Sequence, residues 1–196
     1  MKKNQSRVVI EDVLPQINCG EFYIKRVINE FVNVSAVVLV DGHDIIASSV
    51  LYKHEKDKNW SETRMVPTHN NKWSASFSVE KQGFYNYKIE AWVDYALNWQ
   101  HGIIRKLQDN QYVKSELLEG IQLLQNLLDK LNSDEKNYFK HLIHIFGNED
   151  SYQEAIREAM SDRLQHIFDA SKFARIHREI PANFYRDPVT EIRACI

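Results

Sequence analysis

The sequence predicts a β-sandwich that carries a bundle of helices between its penultimate and last strands, a mainly β plus α fold. Three observations predict it. The hydrophobic period is two up to about residue 95, becomes helical from there, and reverts to a β-compatible run after Asp187-Pro188. Turn residues cut the first part into short stretches at the intervals of an all-β domain. Apolar residues make up 43% of the 196, enough for one good core or two small ones.

Before residue 95 the alternation defines about seven strands, at roughly 7–13, 22–28, 31–40, 45–54, 62–66, 72–79 and 84–93. The third has Val32, Val34, Ala36, Val38 and Val40 on one face and ends in the turn Asp41-Gly42-His43-Asp44, where Gly42 suits positive φ. In the sixth, Trp73, Ala75, Phe77 and Val79 point one way and Ser74, Ser76 and Ser78 the other. Lys56-Asp57-Lys58-Asn59 and His69-Asn70-Asn71 are turns by their Asn and Asp content. Gly83 opens the seventh strand, in which Tyr85, Tyr87, Ile89, Ala91 and Val93 share a face. Strands of this length and spacing indicate an immunoglobulin-like sandwich, with Tyr85 placed to serve as its corner tyrosine.

The helical part begins with a stripe of Leu117, Ile121, Leu124, Leu128 and Leu131, widened by Leu118 and Leu127. Gly120 within it costs about 1 kcal/mol relative to alanine, which points to a close helix contact there. Ser133 is the expected N-cap of a second helix with Phe139, Leu142, Ile143 and Phe146 inward, and Gly147 its expected C′ residue. Ser151 and Glu154 have capping-box spacing and open a third helix with Ile156, Met160, Leu164 and Ile167 in line. A short helix from about Ser171 to Arg178 precedes Pro181, and the last strand runs from Val189. The expected division is a discontinuous sandwich, 1–97 with 183–196, around a helical insert, 98–182. The run Val189–Ile196 has no polar tail, so the natural polypeptide is expected to continue.

Composition narrows the function. Lys and Arg number 25 against 27 Asp and Glu, a net charge of -2 without a basic stripe, which argues against nucleic acid. No apolar run reaches 18 residues, and the start, Met1 to Asp12, is too charged for a signal peptide, so neither a membrane nor export is expected. Cys19 and Cys195 could form one disulfide, but so sparse a pair reads as two reduced thiols of a cytoplasmic protein. No Gly-rich phosphate loop, Gly-x-Ser-x-Gly elbow or Cys-x-x-Cys pair occurs, and no cofactor is expected.

Several islands carry a resemblance. They are Arg7-Val8-Val9-Ile10-Glu11-Asp12-Val13, Lys25-Arg26-Val27, Asp41-Gly42-His43-Asp44, Leu51-Tyr52-Lys53-His54-Glu55 with Trp60, and Met65-Val66-Pro67. Trp73-Ser74-Ala75-Ser76-Phe77, Gly83-Phe84-Tyr85-Asn86-Tyr87, Glu90-Ala91-Trp92-Val93-Asp94, Trp99 and Leu117-Leu118-Glu119-Gly120 follow in order. Together they resemble the N-terminal domain of the α-1,4-glucan:maltose-1-phosphate maltosyltransferases of the α-amylase superfamily, closely over about 7–131 and loosely beyond. The resemblance implies a bacterial cytoplasmic parent that moves maltosyl units from maltose 1-phosphate onto an α-1,4-glucan in glycogen-type synthesis. It implies a sandwich with a helical insert, contributing to a homodimer, ahead of a catalytic (β/α)₈ barrel. Retaining transfer needs two carboxyl groups about 5 Å apart, and the family carries them on barrel strands. A barrel takes about 250 residues, so this chain is expected to be non-catalytic, with its own barrel as partner.

The sharper site readings are few. Trp60, Trp73, Trp92 and Trp99 could stack on sugar. Trp73 lies on a regular core face, which leaves Trp92 and Trp99 as the candidate α-glucan contacts. His141 and His144 share a helix face but lack the further donors that a metal needs, so no metal site is expected. Asp134-Glu135 and Glu149-Asp150 sit where helix starts favour negative charge. The alternative to an assembly module is an α-glucan-binding accessory module of a starch- or glycogen-degrading amylase. A third reading is a small hydrolase.

Overall fold

The computed structural model describes residues 8–18, 20–170 and the backbone of 190–194, which places Cys19, Cys195 and the expected helix at 171–178 outside the described residues. Among the described residues the fold is mixed β and α, with two sheets and five α-helices. It divides into two compact units, residues 1–93 with 180–196 and residues 94–179. Among the described residues no helix is long and apolar enough to cross a membrane.

In the β unit, β1 (Val8–Leu14), β3 (Phe31–Val40), β7 (Lys72–Ser78) and β6 (Val66–Pro67) form one sheet in that spatial order, all antiparallel. The second sheet runs β2 (Ile24–Arg26), β9 (Thr190–Ala194), β8 (Gly83–Val93), β4 (Ile46–His54) and β5 (Ser61–Arg64). Its pairs are antiparallel except β2 with β9, which are parallel. Alternation works as read from the sequence: Val32, Val34, Ala36 and Val38 are at most 1% exposed, and Val32, Val34 and Ala36 pair with Phe77, Ala75 and Trp73. The inner faces of both sheets share one core, where Tyr52 stacks on Phe77 with ring centroids 4.2 Å apart. Asn70 and Asn71 take positive φ in the β6–β7 turn and Gly42 in the β3–β4 turn, as their residue types permit.

Two details of this unit differ from the expectation. The single strand at 62–66 is two strands in two sheets. Met65, buried between them, donates its N–H to Ser48 and sends the chain across the core. In β1 a register shift between Glu11 and Leu14, with Asp12 at φ 50°, turns Val13 into the core. Tyr85 behaves as a corner residue: its buried hydroxyl accepts the backbone N–H groups of Glu80 at 3.1 Å and Lys81 at 3.0 Å. Tyr85→Phe leaves both donors of the β7–β8 connection without that acceptor. It is expected to cost about 1–3 kcal/mol in urea unfolding, with the slope unchanged.

The helical unit contains α1 (Tyr95–Gln108), α2 (Lys114–Gln125), α3 (Ser133–Gly147), α4 (Tyr152–Ala159) and α5 (Asp162–Ala170). Its separate core centres on Ile103, Leu117, Leu124, Phe139, Leu142 and Phe146, none more than 1% exposed. Sequence periodicity passes over α1 because its buried face, Ala96, Trp99, Gln100 and Ile103, holds a single aliphatic branched residue. Gln100 is accommodated by donating its side-chain amide to Ala159 O at 2.9 Å. The leucine stripe is shorter than expected: α2 stops at Gln125, and Leu127 and Leu131 are buried around a 3-10 turn, Leu128–Lys130.

Three helix ends are corrected. Asn132, not Ser133, caps α3, in a reciprocal box with Glu135: Glu135 N–H donates to Asn132 Oδ1 at 2.9 Å and Asn132 N–H to Glu135 Oε2 at 3.2 Å. Gly147 is the last residue of α3 and Asn148 follows as C-cap in extended backbone, so the glycine is not a left-handed stop. Ser151 makes no capping bond, and the expected third helix breaks at Met160 into α4 and α5. Ser161 Oγ accepts Leu164 N–H at 3.3 Å at the new start, and Met160 is 41% exposed rather than in line with the core.

Candidate functional site

The two tryptophans expected to meet glucan are both buried. Trp92 lies on the face of β8 opposite Tyr85, Tyr87 and Ile89, is 4% exposed, and carries the Arg64 guanidinium 4.8 Å from its ring centroid. Trp99 is 5% exposed in the helical core, its indole N–H donating to Glu116 O at 2.6 Å, with Phe146 and Phe168 about its ring. Neither offers an open ring face for a sugar. Trp73 is in the β core, as its strand face predicts. Trp60 is half-buried, with the ammonium groups of Lys53 and Lys88 at 5.0 and 5.2 Å from its ring centroid. Two cations over one indole are a packing arrangement first, since the lysine stems cover the ring as they cross it.

The remaining candidates are held by local structure. His43 is exposed in its turn. His141 and His144 lie exposed on α3, and His141 Nε2 is 3.7 Å from Glu154 Oε1. Among the described residues no group of three His, Cys, Asp or Glu side chains could hold a metal ion. Asp134 and Glu135 are in the first turn of α3, and Glu135 is engaged in the cap. Glu149 and Asp150 begin a 3-10 turn whose Asp150 N–H is taken by Asn148.

A cleft of about 520 Å³ lies between α1 and α2. Tyr95, Asn98, Gly102 and Lys106 line it from α1, at the three- and four-residue spacing of one helix face. Glu116, Glu119, Gln122 and Asn126 line it from α2, with Trp99 and Leu123 also contributing. Glycines shape it twice. A side chain at Gly102 would meet nothing within 4 Å, so the α1 wall is bare there. At Gly120 the missing side chain admits the Trp99 ring, which lets the helices approach closely. The Lys106 ammonium and the Glu116 carboxylate pair across the two helices. Burial opposes ionisation of Glu116, but the Lys106 hydrogen bond and charge, with the residue's own backbone N–H, outweigh it and hold the carboxyl below its ordinary value. The Glu116 carboxylate therefore stays ionised at neutral pH, with the Lys106 ammonium as its counter-charge. Trp99 and Gly120 stand out in the sequence, whereas positions 95, 98, 102 and 106 form a polar stripe that reads as an ordinary solvated helix face.

Comparison with known proteins agrees with the residue islands. The family model for α-1,4-glucan:maltose-1-phosphate maltosyltransferase, domain N/S, matches residues 6–180. The α-1,4-glucan:maltose-1-phosphate maltosyltransferase of Methylacidiphilum infernorum is 37% identical over 121 residues, covering 62% of this chain and 18% of that protein. Its counterpart from Salinibacter ruber is 30% identical over 197 residues, covering 99% of this chain and 29% of that protein. The one from Chlorobaculum tepidum is 30% identical over 157 residues, 79% of this chain and 23% of that protein. The chain thus spans less than a third of the length of each of these relatives.

Proposed function

Because the chain belongs to the family of the N/S domain of α-1,4-glucan:maltose-1-phosphate maltosyltransferases, we propose that it is a non-catalytic assembly module of such an enzyme. The observation that carries this reading is the extent of the match. The N/S domain accounts for residues 6–180, while the part shared with this chain is only 18% and 29% of the two relatives' lengths. A (β/α)₈ barrel takes about 250 residues of alternating strand and helix. The described strands instead form two facing sheets. The chemistry, transfer of maltosyl units from maltose 1-phosphate to an α-1,4-glucan in glycogen-type synthesis, belongs in this reading to the barrel beyond the match.

We read the β unit as an immunoglobulin-like sandwich and the helices as an insert before its last strand. The strand orders β1-β3-β7-β6 and β2-β9-β8-β4-β5, the Tyr85 corner and the position of the described helices between β8 and β9 support this. The module's partners are its own catalytic barrel and a second copy of itself. Apolar groups left in solvent on the β unit support a covering partner: Ile17, Phe22, Val27 and Phe31 are 49%, 55%, 63% and 65% exposed. Sparse cysteine supports a cytoplasmic setting.

Light scattering during size exclusion tests the assembly reading. A species near twice 23.1 kDa is expected, and a monomer at high concentration would remove the homodimer from the proposal. Incubation with maltose 1-phosphate and glycogen is expected to give no turnover. Turnover abolished by a single Asp or Glu substitution would overturn the non-catalytic assignment.

A further inference from the structure

We propose that the outward face of the sheet β1-β3-β7-β6 is where a second copy of this chain docks, an inference that rests on the assembly reading and gives it a place. An antiparallel sheet with one face on the core ordinarily turns polar and charged side chains to water on the other. This outward face departs from that rule. In register, Leu14, Ser35, Ser74 and Val66 form one row across all four strands. Leu14 and Val66, at its two edges, are 48% and 59% exposed, and the small serines lie between them. Phe31, 65% exposed, stands at the start of β3 on the same face, and Val9 pairs with Leu39 toward the other end. Charge falls in the one row where Val37 is flanked by Glu11 and Lys72, and at Asp12 in the β1 bulge.

The profile of this face complements itself. A two-fold axis laid along β3 keeps each row level with its copy and exchanges the β1 side for the β7 side. Leu14 then stands over Ser74 of the second copy, a projecting side chain above a small one, and the contact recurs across the axis. Glu11 stands over Lys72 of the second copy, also twice, so the row that carries charge neutralises itself in the pair. Val37 and Phe31, both on β3, meet their own copies on the axis. Sheets packed face to face lie about 10 Å apart with strands within about 30° of each other, a gap that side chains of these lengths fill. The seven residues of β7, taken across four strands, cover on the order of 500 Å² in plan. Two copies together reach the ~1,000 Å² at which a specific interface begins, so the dimer depends on concentration.

The test is sedimentation equilibrium of the whole chain from about 1 to about 300 µM, where a monomer–dimer equilibrium is expected. Asn33 is exposed and outward on β3, so Asn33→Lys sets two ammonium groups face to face on the axis. It is expected to raise the dimer dissociation constant at least tenfold and to leave the melting temperature of the dilute monomer unchanged. Glu11→Lys and Lys72→Glu are each expected to weaken the dimer about tenfold, and the double variant to restore it, because the exchanged charges meet again across the axis. Phe22→Ser, in a loop off this face, is expected to leave the dimer intact. A dimer that survives Asn33→Lys, or charge reversals that fail to rescue each other, would overturn this face while the assembly reading stands. Loss of the dimer in Phe22→Ser alone would move the interface to the loops and also overturn it. A monomer at every concentration would remove the homodimer itself.

Discussion

Gly120→Ala is expected to destabilise the chain by about 1–3 kcal/mol, although alanine is the better helix former by about 1 kcal/mol. The added methyl would fall on Trp99 Cζ2, at less than any van der Waals separation, with Trp99 Cε2 at 3.0 Å and Phe146 Cε2 at 3.2 Å. None of these atoms is the end of a flexible side chain. Trp99 is tied by its N–H to Glu116 O and packed against Phe168, and Phe146 is fully buried, so relief requires α2 to move off α1 or the indole to leave its bond. Larger residues should cost more, and Gly120→Leu is expected to abolish the native fold of the helical unit. The measurement is urea unfolding of Gly120→Ala, Trp99→Phe and the pair. If the clash is the cause, the double variant is more stable than the two single losses predict, because phenylalanine lacks the atoms that the methyl meets. Strict additivity would show that the glycine serves something other than the indole.

Gly83→Ala is expected to cost more, about 3–5 kcal/mol, from two sources that add. Gly83 sits at φ +136°, a region that side chains rarely adopt, and occupying it costs of order 1–3 kcal/mol. Its Cβ would also stand 2.5 Å from both His54 Nε2 and Glu55 Oε1. His54 is 2% exposed and its two nitrogens are committed: Nδ1 accepts Lys56 N–H at 3.2 Å, so Nε2 carries the proton and donates to Gln82 O at 3.0 Å. Displacing the ring breaks a part-buried bond worth about 1–3 kcal/mol when one partner is left unpaired. Thermal melts separate the sources. In a His54→Ala background the clash with the buried ring is gone, the exposed Glu55 carboxylate can swing aside, and the backbone part persists, so Gly83→Ala should then cost about 1–3 kcal/mol. A negligible cost in the wild-type background would refute both.

How much of this was legible differs from element to element. Val32 through Val38 and Trp73 through Phe77 could be assigned faces from spacing alone, because successive side chains on a strand point to opposite sides whatever lies beyond them. The β7–β8 corner was legible for the same reason: Tyr85 follows Gly83 at a strand entrance, and its acceptor role spans five residues. The split of 62–66 was not legible, because Met65 is drawn inward by a sheet whose partner strand begins at residue 46. Cap assignments failed where neighbours compete. Asn132 and Ser133 are both good caps, and which one serves is decided by where Leu131 is buried. Breaking the third helix at Met160 left that methionine outside the buried row, although its spacing fits one continuous helix.

The candidate glucan contacts show the limit most directly. Residue type singles out Trp92 and Trp99, but type says only that an indole can stack and not whether its face is open. Packing answered that: Arg64 covers one ring, while Gly120, Phe146 and Phe168 enclose the other. The cleft beside Trp99 depends on two glycines on two helices: Gly120, inside a leucine stripe, marks a close contact in the sequence, whereas no pattern marks Gly102. The sequence by itself determined where strand periodicity gives way to helical periodicity, which strand faces are apolar, and the family, since each of these rests on periodicity or on islands of contiguous residues. Tertiary structure alone decided α1, the sheet crossing at Met65, the helix ends and the burial of the tryptophans. These depend on contacts such as Gln100 with Ala159, between residues whose separation along the chain carries no periodic signal.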